Sequence, residues 1–251
     1  MRRWENTPTQ VVCFRGTNGV GKTTQAHLLE TALGDRKVAA RVVDTYADII
    51  RPEIWPDTLP EHTYEFTLRT REGQFVTTRS AERQINIDGD LNTREWIAWL
   101  VCEALQAETT AGTWPIFSGS PRSQLEAEEF AATLQHLEEE RGPIGLIVVE
   151  VRPPDGSDGT PDYSVVRRRI VDDIMSIEDE ALRAQKMYKI DEFDRRAATY
   201  AEETTLAFDW LVRYAPVTIR TMTVVDDGSR TALEIHQEVL ASITRTLAIE
   251  H

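Results

Sequence analysis

Residues Gly16 to Thr24 read GTNGVGKTT, after the apolar run Val11-Val12-Cys13-Phe14 and before Gln25-Ala26-His27-Leu28-Leu29-Glu30. The first run has the composition of a buried strand and the last has helical spacing, so the stretch is a glycine-rich turn from strand to helix. Its spacing fits G-x-x-x-x-G-K-[ST], the phosphate-binding loop. Gly16, Gly19 and Gly21 allow backbone conformations that a side chain blocks. The loop N–H groups then converge on an anion at the positive end of a helix. Gly16, Asn18, Gly19, Val20, Gly21, Lys22, Thr23 and Thr24 are the expected cradle for the phosphates of ATP or GTP. Lys22 is expected on the β- and γ-phosphates and the Thr23 hydroxyl on Mg²⁺.

Outward from the loop, strands and helices alternate. Apolar runs at Val38–Val43, Trp114–Phe117, Gly145–Val151 and Val217–Val225 join the first to make five strands. Between them lie helical patterns at Thr23–Leu33, from Asn92 or Thr93 to Thr109, at Gln124–Arg141, at Tyr163–Met175, across most of Glu178–Tyr214, and at Arg230–Leu247. Near-continuous apolar strands separated by helices predict an α/β chain with a parallel sheet covered on both faces. Pro52, Pro56 and Pro60 interrupt this order. Two alternating segments, Thr63–Arg69 and Gln74–Thr78, then flank a polar turn and read either as a β-hairpin or as an ordered surface loop.

The chain has 251 residues, 28 basic against 42 acidic, a net charge of −14. That field opposes a nucleic-acid polymer or an anionic membrane as partner. A small nucleotide remains compatible, because clustered arginines override the global sign locally. Cys13 and Cys102 lie in apolar patterns and read as buried thiols. Neither they nor the five histidines (27, 62, 136, 236, 251) form a metal or catalytic spacing. Without a long apolar segment the expected location is cytoplasmic.

With the loop placed, other segments resemble the nucleoside monophosphate kinases, adenylate kinases most of all. Thr24-Gln25-Ala26 looks like the end of that family's G-K-G-T-Q-A. Asp44 to Arg51, DTYADIIR, is similar to S-T-G-D-x-x-R, with Tyr46 and Ala47 where the family has threonine and glycine. Gly89-Asp90-Leu91-Asn92 resembles G-x-L-V, and Gly119-Ser120-Pro121-Arg122-Ser123 resembles G-F-P-R-T. Arg196, Tyr200 and Thr204 resemble R-L-x-x-Y-x-x-x-T, and Val225 to Ser229 the loop before the last helix. The helix with Arg167, Arg168 and Arg169 is similar to the one that begins the family's lid, and Lys189-Ile190-Asp191-Glu192 to the R-x-D-D that ends it.

The resemblance implies a three-layer P-loop kinase domain over residues 1–251, with an acceptor-binding insertion at 45–92, a hairpin at 63–78 within it, and a short lid at 152–192. It implies ATP- and Mg²⁺-dependent phosphoryl transfer to a nucleoside monophosphate. Lys22, Arg122, Arg167 and Arg196 would act on the transferred phosphate, and Arg183 with Lys186 would close over ATP. Thr45, Asp48, Arg51, Gly89, Leu91, Arg122 and Glu126 would hold the acceptor. Such a set is chemically apt, since phosphoryl transfer needs two polyanions positioned and neutralised more than it needs covalent help. Three departures bear on it. Ser118 stands where the family has an aspartate that orients water on Mg²⁺, and Thr23 where adenylate kinases have glycine. Glu126 replaces a base-reading glutamine. Two other readings stay open: a kinase for an unusual or modified acceptor, and a nucleotide-binding regulatory protein with little catalysis.

Overall fold

A computed structural model describes residues 8–43, 62–87, 92–187, 190 and 193–248. The segments holding Thr45, Asp48, Arg51, Gly89 and Leu91 lie outside the described residues, as does the side chain of Arg196.

Five parallel strands form one sheet: β1 (Gln10–Arg15), β2 (Ala40–Val43), β5 (Trp114–Ser118), β6 (Gly145–Arg152) and β7 (Thr218–Val225), in the order β2-β5-β1-β6-β7. β1 is central, with Val12 beside Ile116 of β5 on one side and Ile147 of β6 on the other. The inner strands β1, β5 and β6 are buried on both faces because both are covered. Val12, Phe14, Ile116, Ile147 and Val149 pack on one side against α1 (Lys22–Gly34) and the last helix, α9 (Ala232–Ala248). Val11, Cys13, Phe117, Leu146 and Val148 pack on the other against α3 (Arg94–Thr110), α4 (Gln124–Arg141) and α8 (Thr205–Tyr214). The chain is therefore a three-layer α/β fold. Among the described residues no helix is long and apolar enough to cross a membrane.

The strand order sets the place of chemistry. From β1 the chain goes out to β2, returns to β5 beside β1, then crosses to β6 on the far side. The order reverses around β1, so a crevice opens beyond the carboxyl ends of β1 and its neighbours, where open α/β sheets bind ligands. Gly16 to Thr24 and Gly119 to Ser123 both leave the sheet there.

The hairpin is formed by β3 (Thr63–Phe66) and β4 (Phe75–Thr78), paired antiparallel with Thr63 opposite Thr78. Tyr64, Phe66 and Phe75 pack on Trp96 and Trp99 of α3, and the Phe66 ring stacks on Trp99 with centroids 5.1 Å apart. Both tryptophans thus belong to a small satellite core. A helix that the apolar pattern does not announce, α2 (Arg79–Ile87), follows β4 directly. Its sequence is polar, and its start is set by Thr78, whose hydroxyl accepts from the Ala81 N–H at 3.2 Å.

Two buried glutamates fasten this region. Glu82 of α2, with no exposed surface, accepts from the hydroxyls of Thr77 and Thr93 and from the Asn92 amide. The sequence pattern starts α3 at Asn92 or Thr93, either of which could cap it. Thr93 does sit at the cap position, but its hydroxyl is given to Glu82 instead of the helix. Glu129 of α4, 2% exposed, accepts from the backbone N–H groups of Arg69 and Thr70 and from the Thr70 hydroxyl.

A turn-rich loop follows β6, closed by a bridge between Asp155 and Pro161. Then come α5 (Ser164–Met175), α6 (Glu180–Lys186), α7 (Phe193–Thr199) and a π-helical turn, Tyr200–Thr204, that runs into α8. Such π turns are rare and gather at functional sites.

Candidate functional site

The glycine-rich loop has the backbone that its residues predict. Gly16, Gly19 and Gly21 have φ of 145°, 85° and 86°. Two of these positions exclude a side chain for packing reasons as well. A Cβ on Gly16 would run into the Val151 carbonyl oxygen, and one on Gly19 would come within 2.6 Å of Ile170 Cδ1. Ile170 and Val166, one helical turn apart on α5, press on the loop from above, and Val20 is buried beneath it. Asn18, Thr23 and Thr24 are exposed.

Lys22 opens α1 and folds back over the loop. Its ammonium donates to the carbonyls of Gly16 at 2.8 Å and Thr17 at 2.9 Å. Its Cε would lie 3.2 Å from a Cβ on Gly119, so the lysine runs between the first loop and the one after β5. The Thr17 hydroxyl is buried and has no hydrogen-bond partner among the described residues. Thr23 Oγ1 and Ser118 Oγ are 2.8 Å apart, joining the start of α1 to the end of β5.

The residues fit a nucleotide's phosphates: a glycine nest, a helix N-terminus, a mobile ammonium and an orphaned buried hydroxyl converge. They also fit Mg²⁺ that arrives with a nucleotide. Two hydroxyl oxygens are hard donors, and magnesium keeps water and phosphate ligands rather than entering an all-protein cage. Among the described residues no group of three or more His, Cys, Asp or Glu is placed to hold a metal ion.

The second loop, Gly119 to Ser123, is held from below. Ser123 caps α4, its hydroxyl accepting from the Glu126 N–H, and the Glu126 carboxylate reaches back to the Arg122 N–H at 3.0 Å. This is a near relative of the capping box, displaced by one residue. Glu126 therefore does not stand open as a base-reading residue would. It is 4% exposed beneath the loop, and burial raises its pKa above the usual glutamate value, with Arg122 and its N–H opposing. The Arg122 guanidinium donates through Nε to the Gly119 carbonyl at 3.0 Å. From the far side, the Thr204 hydroxyl donates to the Arg122 carbonyl at 3.3 Å. Arg122 and Thr204, 82 residues apart, are thus brought together, and Thr204 closes the segment that begins at Arg196.

Tyr200, one turn before Thr204, lies in a charged knot behind the first loop. Burial pushes its phenol up to about 12, against the pull of Arg15. Arg15 immediately precedes Gly16 and pairs with Glu150 at 3.1 Å and Asp209 at 3.0 Å. Burial works against the Arg15 charge, but these carboxylates more than restore it. The loop is therefore tied through its first flanking residue to β6 and α8. Sequence spacing gave no sign of this knot, because its members come from four separate segments.

The arginines of the 152–192 region are divided in role. Arg169 makes a two-pronged pair with buried Asp226, at 2.7 and 3.0 Å, joining α5 to the loop before α9. Arg167 and Arg168 are exposed on α5. Arg183 bonds locally, to the Ile177 carbonyl at 3.4 Å and to Glu180 at 3.6 Å. Lys186 lies in the last turn of α6. Cys13 and Cys102 are buried free thiols; burial raises both, Cys102 to about 12, so neither is a nucleophile at neutral pH.

Two surface hollows, of about 600 Å³ against Glu140 and Arg141 and about 450 Å³ near Arg36 and Leu240, adjoin the ends of α4 and α1 far from the glycine-rich loop. No protein-family model matches the chain, and no curated protein matches it.

Proposed function

We propose that this protein transfers the γ-phosphoryl group of ATP to a nucleoside monophosphate, giving ADP and a nucleoside diphosphate. The observation that carries the proposal is the adjacency of two loops at the switch point of the sheet. One, Gly16–Thr24, has the form of a phosphate cradle. The other, Gly119–Ser123, presents Arg122 directly beyond Lys22.

In the reaction an acceptor phosphate oxygen attacks the γ-phosphorus and the bond to the β–γ bridging oxygen breaks. The leaving electron pair stays on ADP. Bound Mg²⁺ would neutralise charge on the transferred and leaving groups. Lys22 exchanges the Gly16 and Thr17 carbonyls for phosphate oxygens, a short movement of one flexible side chain. The loop N–H groups hold the β-phosphate in place. Thr23 offers an oxygen to the metal, and Ser118 orients that hydroxyl. Arg122 steadies the incoming phosphate, helped by Glu126 and Thr204, which fix its backbone. Among the described residues nothing hydrogen-bonds its Nη atoms, which are the fork that binds phosphate best.

The test is a coupled assay for ADP formation with ATP, Mg²⁺ and each common ribo- and deoxynucleoside monophosphate. Acceptor-dependent turnover is expected with at least one. ATP binding without turnover on any of them defeats this reading. Ser118, which puts a hydroxyl rather than a carboxylate beside Thr23 at the end of β5, favours one rival, a nucleotide-binding regulatory protein. That rival predicts stabilisation by ATP with turnover at background.

A further inference from the structure

Arg94 is the first residue of α3, and its guanidinium reaches across to Glu203 in the π-helical turn. One nitrogen, Nη2, serves both carboxylate oxygens, at 3.3 and 3.1 Å. The pair does not use the parallel two-nitrogen fork by which arginine grips an oxyanion most firmly. The side chains are 59% and 40% exposed, so the interaction is weak and readily exchanged.

Its surroundings give it meaning. The next residue after Glu203 is Thr204, whose hydroxyl is on the Arg122 carbonyl. Arg94 also acts electrostatically on Glu126, buried under the same loop. Arg94, Arg122, Glu203 and Thr204 are therefore neighbours beside Gly119–Ser123. The first turn of α3 has no side-chain cap, since the Thr93 hydroxyl is given to Glu82. That end of the helix adds a partial positive charge.

We infer that Arg94 is a ligand for the acceptor's phosphate, and that Glu203 is the anion it exchanges for that phosphate. The inference rests on the transfer reading above. A dianionic phosphate brings more charge than a carboxylate and oxygens that match the arginine fork. Little is lost when the exposed pair opens. The exchange makes Glu203 a competitor of the acceptor: it holds Arg94 in position and weakens binding at the same time.

That duality gives a test with opposite signs. Binding of each nucleoside monophosphate and, separately, of ATP with Mg²⁺ is measured by calorimetry on the intact protein and on three variants. Arg94→Met is expected to weaken monophosphate binding about 10- to 100-fold. Arg94→Lys should fall between, keeping the charge but losing the fork. Glu203→Gln should tighten monophosphate binding several-fold. ATP affinity should stay the same in all three, which also reports that they are folded. A merely structural pair would give Met and Gln variants the same sign, or leave monophosphate affinity untouched, and either result overturns the inference while the transfer reading stands. If the wild-type protein binds ATP but no monophosphate, both fall together.

Discussion

The glycine-rich loop and the hairpin region solve the problem of holding a turn in place by opposite means. The loop is shaped by backbone: three glycines at positive φ, a lysine folded onto two carbonyls, and apolar contacts from Val166, Ile170 and Val20. The hairpin is held by side chains: Glu82 and Glu129, each buried and each accepting from several donors, fasten it to α3 and α4. The first arrangement gathers backbone N–H groups at a helix N-terminus, which suits an anion. The second gathers several donors on each carboxylate and serves anchorage. Function and stability should therefore separate on mutation.

The largest expected effect falls on the loop. Lys22→Ala should lower turnover about 10²–10³-fold, by removing a charged donor to the transferred phosphate. The melting temperature should move far less than turnover, because Lys22 is only half-buried and the α1 backbone is unaffected. Assay and thermal melt on the same sample check both halves. A variant that melted far below wild type would show that the lysine anchors the loop, and the contrast between the regions would fail.

Glu129→Ala should do the reverse. It leaves the part-buried Arg69 and Thr70 N–H groups without their acceptor and opens a void in α4's face. A loss of about 3 kcal/mol in urea unfolding is expected. Glu129→Gln, which keeps one acceptor oxygen, should recover part of that. If Glu129→Ala unfolds like wild type, water replaces the carboxylate and the hairpin is held by its aromatic face alone.

Ser118→Asp sharpens the comparison from the other side, by placing a carboxylate at the end of β5 next to the loop. The new group would stand beside Thr23 Oγ1, now 2.8 Å from the serine hydroxyl. The Mg²⁺ concentration needed for half-maximal stabilisation by ATP should fall about tenfold, since an anionic oxygen is a stronger magnesium ligand than a hydroxyl. The readout is the melting temperature as a function of Mg²⁺ at fixed ATP. An unchanged midpoint would place the metal away from β5.

The frame of the molecule was legible because it is written in local pattern. Val11–Phe14 and Gly145–Val151 fall within β1 and β6, the helical spacings overlap the helices with shifted ends, and GTNGVGKTT sits where the chain turns from β1 to α1. What pattern could not reveal was pairing at a distance. α2 has a polar sequence, and the reason it matters, Glu82, is legible only when Asn92 and Thr93 are seen on it. Glu129 meets a backbone 60 residues away, and Arg94 meets Glu203 109 residues away. Glu126 shows the limit most clearly. Its position in the motif promised an open ligand, whereas Ser123, three residues before, was a signal for a capping box and therefore for burial.

The smallest expected effect concerns that residue and is read through pH. Burial raises the Glu126 pKa in the folded protein above its ordinary value of 4.5. The folded state therefore holds this proton more tightly than the unfolded chain. The favourable contribution is complete below the ordinary value and is lost as pH rises through the folded pKa, where a charge must be carried beneath the loop. Each unit of separation corresponds to about 1.4 kcal/mol. Glu126→Gln keeps an oxygen for the Arg122 N–H and removes the ionisation. Relative to wild type, the variant should gain stability progressively from pH 4.5 upward, as measured by urea unfolding across the series. A difference that stays flat with pH would mean that Arg122 and Arg94 fully compensate the charge. Glu126 would then resemble the satisfied carboxylates of the hairpin, and the division between a backbone-built loop and carboxylate-built anchors would extend into the second loop of the site.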